Sequence, residues 1–316
     1  MDLNHSLRPQ VALPALAVLI ALPLLMQAID QPFYIVLASR ILIFALAASS
    51  LNLLIGFGGM VSFGHAAFFG TGAYTVAILM HHGVASAWIA WPAAVLVAAL
   101  VAAAIGAISL HTRGVYFIMI TLAFAQMIYY VFVSLKAYGG DDGLSLAARS
   151  QLGLGLDLKF DATFYYVVLA LVVGMLVLFG RLVNARFGRV LQAIRENDSR
   201  AEAIGFPVYR HRLVCFVLSG AAAGLAGALI VNQSGLASPN LLHWTQSGML
   251  MIMVILGGVG FLYGGVLGAA VLLLLEEIAS DYTIHWQLGV GLVLLAIVLY
   301  APNGLLSLAG RRARGG

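Results

Sequence analysis

Charge is what this 316-residue sequence has least of: Asp, Glu, Lys and Arg make up 9% of it, against about 25% in soluble domains. Hydrophobic residues make up 62%, in runs too long and too numerous for one buried core, so the chain reads as a polytopic membrane protein. Its only lysines are Lys136 and Lys159, and it has no Gly-x-x-x-x-Gly-Lys-Ser/Thr loop, which excludes ATP binding in the P-loop manner. Cys215 is the single cysteine, so an internal disulfide and a cysteine-rich metal site are both excluded. Gly-x-Ser-x-Gly and His-Glu-x-x-His are missing as well. No paired carboxylates stand deep in one apolar run, which argues against an ion-driven mechanism. No basic-aromatic patch points to nucleic acid.

Ten apolar segments are present, at about 11–29, 33–55, 63–81, 86–110, 115–135, 163–180, 213–232, 246–261, 264–280 and 285–301. The eighth and ninth are short and interrupted by glycine, so eight or nine crossings also fit. The first follows Arg8 and imitates a signal peptide, but Met26 is too large for the cleavage site, and the run reads as a retained span. With ten spans and both termini inside, twelve of the sixteen Lys and Arg residues face the cytoplasm and four, Arg40, Lys136, Arg149 and Lys159, do not. The expected fold is therefore all-α: a first half over 11–135, an outer loop over 136–162, a second half over 163–301 and a cytoplasmic tail over 302–316. Five spans on each side of the loop make the halves enter the membrane in opposite senses, the arithmetic of an inverted repeat.

The one long polar stretch is 181–212. It holds seven arginines and three acids, which equals the +4 net charge of the whole chain. Phe187, Val190, Leu191, Ile194, Ala201 and Ile204 fall near one face of a helix, and Gly205 and Pro207 stop it. Two readings fit this pattern: a helix lying solvated on the membrane, or a docking helix pushed by a cytoplasmic partner.

Two stretches are dense in glycine: Gly56–Gly72, six in seventeen residues, and Gly257–Gly268, again six. Glycine costs a helix about 1 kcal/mol relative to alanine. Such density marks either close helix packing, as Gly260-xxx-Gly264-xxx-Gly268 suggests, or broken helices whose backbone lines a path. On the second reading the path residues are Asn52, Gly56, Gly58, Gly59, Ser62, Gly64, His65 and Gly70 in the first half. Gly257, Gly258 and Gly260 are their counterparts in the second. Asn52, Gln126 and Asn232 lie in or near spans and are expected to form interhelical hydrogen bonds. A lone His65 fits such a bond as well as a path.

Three segments together are specific: LNLLIGFGGMVSFGHAAFFGTGAY at 51–74, GRVLQAIRENDSRAEAIGFPVYRHRLVCFVLSGAAAGLAGAL at 188–229, and VILGGVGFLYGGVLGA at 254–269, with YAPNGL at 300–305. In them the sequence resembles the LivM-type permeases of branched-chain amino acid ABC importers. The resemblance implies a second permease of the LivH type, two cytoplasmic P-loop ATPase subunits that bind the ATP and Mg, and an external solute-binding protein. It implies a bacterial-type inner membrane and no cofactor in this chain. It makes Glu202-Ala203-Ile204-Gly205 a version of the coupling motif that docks on an ATPase, with Arg189, Ile194, Arg195, Glu196, Asn197 and Ala201 beside it, and Ile194, Ala201 and Ile204 as its gripped apolar face. The expected cargo is a branched-chain or other apolar amino acid. Urea, amides or aromatic acids, or an ion-coupled transporter acting alone, are the alternatives.

Overall fold

The computed structural model describes residues 9–153, 157–282, 285–301 and 304–307. Arg8, Arg311, Arg312, Arg314 and most of the tail lie outside the described residues. All ten apolar segments form helices, and two shorter helices lie in the polar stretch. In chain order they are α1 (Pro9–Ala28), α2 (Phe33–Asn52), α3 (His65–His81), α4 (Ala87–Ser109), α5 (Val115–Ser134) and α6 (Asp161–Asn184). Then come α7 (Arg186–Glu196), α8 (Asp198–Ala203), α9 (Val208–Ser234), α10 (Trp244–Gly257), α11 (Gly264–Tyr282) and α12 (Trp286–Tyr300). Among the described residues five helices are long and apolar enough to cross a membrane: α2 with the π turn Leu53–Phe57 that extends it, α4, α5, α6 and α9. The protein is an all-α membrane protein.

α9 and α2 form the buried centre, while α4, α5 and α6 turn most of their surface outward. α9 packs on α2, α3 and α4, and α2 also packs on α6 and α11. In lipid there is no hydrophobic drive to press helices together, so close backbone approach and van der Waals contact must do it. Small residues permit that approach. A Cβ on Gly72 of α3 would stand 2.6 Å from the Gly224 Cα of α9, and one on Gly265 of α11 would stand 2.5 Å from the Ser49 nitrogen of α2. Alanines 98 and 102 of α4 meet Gly224 and Gly220. The expected Gly260, Gly264, Gly268 packing stripe needs one correction. Gly264 and Gly268 do lie on the α10–α11 contact, but Gly260 belongs to the turn between those helices, where φ is +84°.

Connections gather at two ends of the bundle. One end collects the α2–α3 break, the α4–α5 turn, α7 with α8, and the α10–α11 turn. There Tyr209 Oη donates to the Ala107 carbonyl (3.0 Å) and Arg113 pairs with Asp198 (3.6 Å). At the other end Arg149 ties the loop residues 135–153 and 157–160 to α6 and α9. Its guanidinium bonds Asp161 (2.6 Å), the Asn232 carbonyl (3.1 Å) and the Leu158 carbonyl (3.0 Å), and it covers the Phe164 ring. Asn232 Oδ1 accepts from the Ser150 N–H (2.7 Å), and Leu144–Ser145 pairs antiparallel with Leu236–Ala237. Arg149 and Asn232 thus make a clasp where the sequence showed only a glycine-rich loop.

Gly72→Val should fail to give a monodisperse protein in mild detergent, because the facing atoms are backbone and cannot move aside. Gly174→Val, at an α6 position with nothing within 4 Å of an added Cβ, should purify normally. Fluorescence-detected size exclusion separates the two outcomes.

Candidate functional site

The two glycine-dense stretches meet. α2 widens into its π turn at Leu53–Phe57 and ends, and the chain runs without helix from Gly58 to Gly64 before α3 begins. α10 ends at Gly257, and Gly258 and Gly260 turn the chain toward α11 with φ of +120° and +84°. Left-handed conformations cost other residues roughly 1–2 kcal/mol, which accounts for glycine in that turn. Asn52, buried at the end of α2, joins the two breaks. Its Oδ1 accepts from the Gly260 N–H (3.0 Å) and its Nδ2 donates to the Phe261 carbonyl (2.6 Å). Gly56 faces the same turn, and a Cβ there would lie 2.7 Å from the Gly260 Cα. Gly304 closes on this turn as well, next to Gly258.

The start of α3 is held by side chains from four directions. Thr121 of α5 accepts from the Phe63 N–H (3.3 Å), Ser62 from the Gly64 N–H (3.0 Å), and Ser247 of α10 from the Ala66 N–H (2.8 Å). These satisfy donors that a helix N-terminus leaves unpaired. His65 Nε2 lies 2.9 Å from Ser219 Oγ of α9, and Ser219 donates its hydroxyl hydrogen to the Ser50 carbonyl. Ser219 has one hydrogen to give, so His65 must donate from Nε2 and keep Nδ1 as an acceptor. Nδ1 is buried without a partner among the described residues. Ser50, Ser219 and His65 therefore cross-link α2, α9 and α3.

The polar stretch is not one helix. Asn197 takes extended backbone (φ −159°, ψ 105°) and splits it into α7 and α8, and its side chain caps α8 by accepting from the Arg200 N–H (2.9 Å). The gripped apolar face also needs correction. Ile194 and Ala201 are buried with Val208 in a small core of the protein's own, so they face inward. Ile204 stays 68% exposed. The run from Glu202 through Pro207 is exposed without interruption. α8 is fixed from below: Asp198 bonds Arg212 of α9 (2.7 Å) and pairs with Arg113. Arg189, Arg195, Glu196 and Asn197 are exposed. Arg195 nonetheless reaches the first break, where its Nη1 donates to the Gly56 carbonyl. Its stem passes Gly59, where a Cβ would stand 2.8 Å from Arg195 Cγ.

Asn52, Gly56, Gly59, Gly258, Gly260 and Arg195 thus come together at one end of the bundle. Ser62, Gly64 and His65 lie one step away at the start of α3, and Gly58 is enclosed by Leu54, Met60 and Cys215. Gly70 is elsewhere: it packs against Leu242 beyond α9. Gly257 packs on Gly264 and Gly268. Of the expected polar bonds, Asn52 and Asn232 bond across elements, while Gln126 Oε1 is buried without a partner among the described residues. Thr121, Ser219 and Ser247 were missed; a hydroxyl inside an apolar run is the only signal a sequence offers for them.

A helical bundle built on close small-residue contacts, with broken helices meeting a polar helix pair at one end, is the build of a multi-pass transport protein. Residues 33–301 match the model of the branched-chain amino acid transport system / permease component family. The chain belongs to that family, and it is a transmembrane permease of an ABC importer and not an enzyme. It is 28% identical to the high-affinity branched-chain amino acid permease LivM of Salmonella typhimurium, over 96% of this chain and 79% of the relative. It is 26% identical to LivH of the same organism, over 83% of this chain and 91% of the relative. The fructose import permease FruG of Bifidobacterium longum is 31% identical over 45% of this chain and 43% of its own length. No solved structure matches the chain.

Asn52→Leu keeps the branching of the side chain but leaves the Gly260 N–H and Phe261 carbonyl unpaired in a buried site. Each unpaired group costs about 1–3 kcal/mol, so the purified protein should melt several degrees lower in detergent. An unchanged melting temperature would show that the junction is not held by this amide.

Proposed function

We propose that this chain is one of two related permeases in an ATP-driven importer of branched-chain or other apolar amino acids. In this reading all ten apolar helices cross a bacterial-type inner membrane, and both termini and the α7–α8 end face the cytoplasm. The distribution of arginine supports that orientation, since the seven of 181–212 all belong to one end. A five-plus-five inverted repeat is supported by corresponding contacts: α4 lies on α9 as α11 lies on α2, and α3 on α4 as α10 on α11. The partner is a LivH-type permease. Two P-loop ATPases bind ATP and Mg, and an external binding protein delivers the cargo and sets much of the selectivity.

The observation that carries the reading is the exposed turn Glu202–Pro207. It is apolar at Ile204 and Phe206 and charged at Glu202, and it stands on a helix pair anchored to α9. That is the shape of a docking knob. ATP binding closes the ATPases on each other, the knob moves with them, and the breaks at 58–64 and 258–263 reseat to change access.

Expressed in its own host and pulled down in mild detergent, the chain should bring a second permease and two ATPases. Ile204→Asp, at a position the protein's own core does not use, should leave the chain inserted but lower ATPase recovery about tenfold or more, the effect of losing 1.4 kcal/mol or more of docking energy. Full recovery and normal ATP-driven uptake by this variant would refute the docking role. Glu202→Lys, by charge reversal at the same knob, should lose uptake in the same assay.

A further inference from the structure

We propose that Arg195 is the positioning residue through which movement of α7 and α8 reaches the membrane helices, its guanidinium holding the end of α2, which Asn52 ties to the 258–263 turn. The inference rests on the coupling role proposed above and adds the residue that carries it.

Three features of the geometry agree. First, Gly56 lies in the last turn of the π-extended α2, where the helix dipole is negative, and its carbonyl takes no onward backbone N–H although those of Leu53, Leu54 and Ile55 do. Arg195 supplies both the missing donor and the opposite charge. Second, there is space made for it. Gly59 has no Cβ where one would stand 2.8 Å from Arg195 Cγ. The guanidinium therefore sits on the first break, which Asn52 joins to the second from the inner side. Third, Arg195 is placed between the two things it would link. It follows the buried Ile194 in the last turn of α7 and precedes the exposed turn at Glu202 by seven residues. A guanidinium is always charged and offers five donors in a planar fork, so it can keep hold of the Gly56 carbonyl while the end of α2 shifts. Methionine has a stem of similar length and helix propensity but no donor.

The test uses the complete importer, with partner permease and ATPases, in proteoliposomes. Three variants are compared with the wild type: Arg195→Met, Arg195→Gln, and Arg186→Met at the far end of α7. For Arg195→Met the ATPases should be recovered in full and ATP should still be hydrolysed, while cargo moved per ATP falls about tenfold, within the usual range of coupling between sites. Arg195→Gln, with one short donor, should fall between the two, and Arg186→Met should match the wild type. Hydrogen exchange should rise at 53–64 and 258–263 in Arg195→Met and not in the middle of α3. Normal transport per ATP in Arg195→Met would overturn the proposal. So would loss of ATPase recovery in both Arg195 variants, which would make Arg195 a docking or structural residue instead. If the wild-type chain itself recruits no ATPase, the coupling reading fails before Arg195 is tested.

Discussion

A helix that stops inside an apolar protein leaves carbonyls and N–H groups that lipid cannot satisfy, and this structure depends on how that need is met at one place. α2 stops at Phe57 and α10 stops at Gly257, both at the same end of the bundle. Asn52 answers for the second break by presenting an acceptor and a donor to consecutive residues. Arg195 answers for the first from outside. Each break is thus bonded by a side chain from another part of the chain, and those bonds link the two breaks and the polar helix pair.

The glycines follow from that unit and from the packing around it. Some are needed because another backbone passes within touching distance, as at Gly72 on Gly224 and Gly227 on Ala73. Others are needed because a polar side chain or a turn occupies the space, as at Gly59 beneath Arg195 and Gly56 beside Gly260. Packing and helix breaking are therefore not competing explanations of a glycine-dense stretch. Gly56–Gly72 contains both, broken in its first half and packed in its second, and Gly257–Gly268 alternates between them.

The polar stretch combines a rigid base with an exposed tip. Ile194, Ala201 and Val208 make a small core of their own, and Asp198 ties α8 to α9 and the α4–α5 turn through Arg212 and Arg113. The longest uninterrupted exposed run of the stretch is Glu202 to Pro207. In the docking proposed above, a partner would press on that run against a base held by these contacts.

The sequence by itself determined the all-α membrane class and the placement of every long helix, because a run of apolar residues without charge has one solution in lipid. It also determined the family, through motifs that stay contiguous along the chain. Hydrophobic periodicity pointed to the amphipathic character of 186–204 but not to its division at Asn197, since a break costs a pattern only one residue. Nor did it tell which way the apolar face turns: Ile194 and Ile204 look alike on a helical wheel, yet one is enclosed and the other exposed. The tertiary structure alone decided the junction. Arg195 and Gly56 are separated by 139 positions and Asn52 and Gly260 by 208. A single hydrogen bond from a side chain to a distant backbone carbonyl leaves no periodicity, spacing or composition by which one sequence could reveal it.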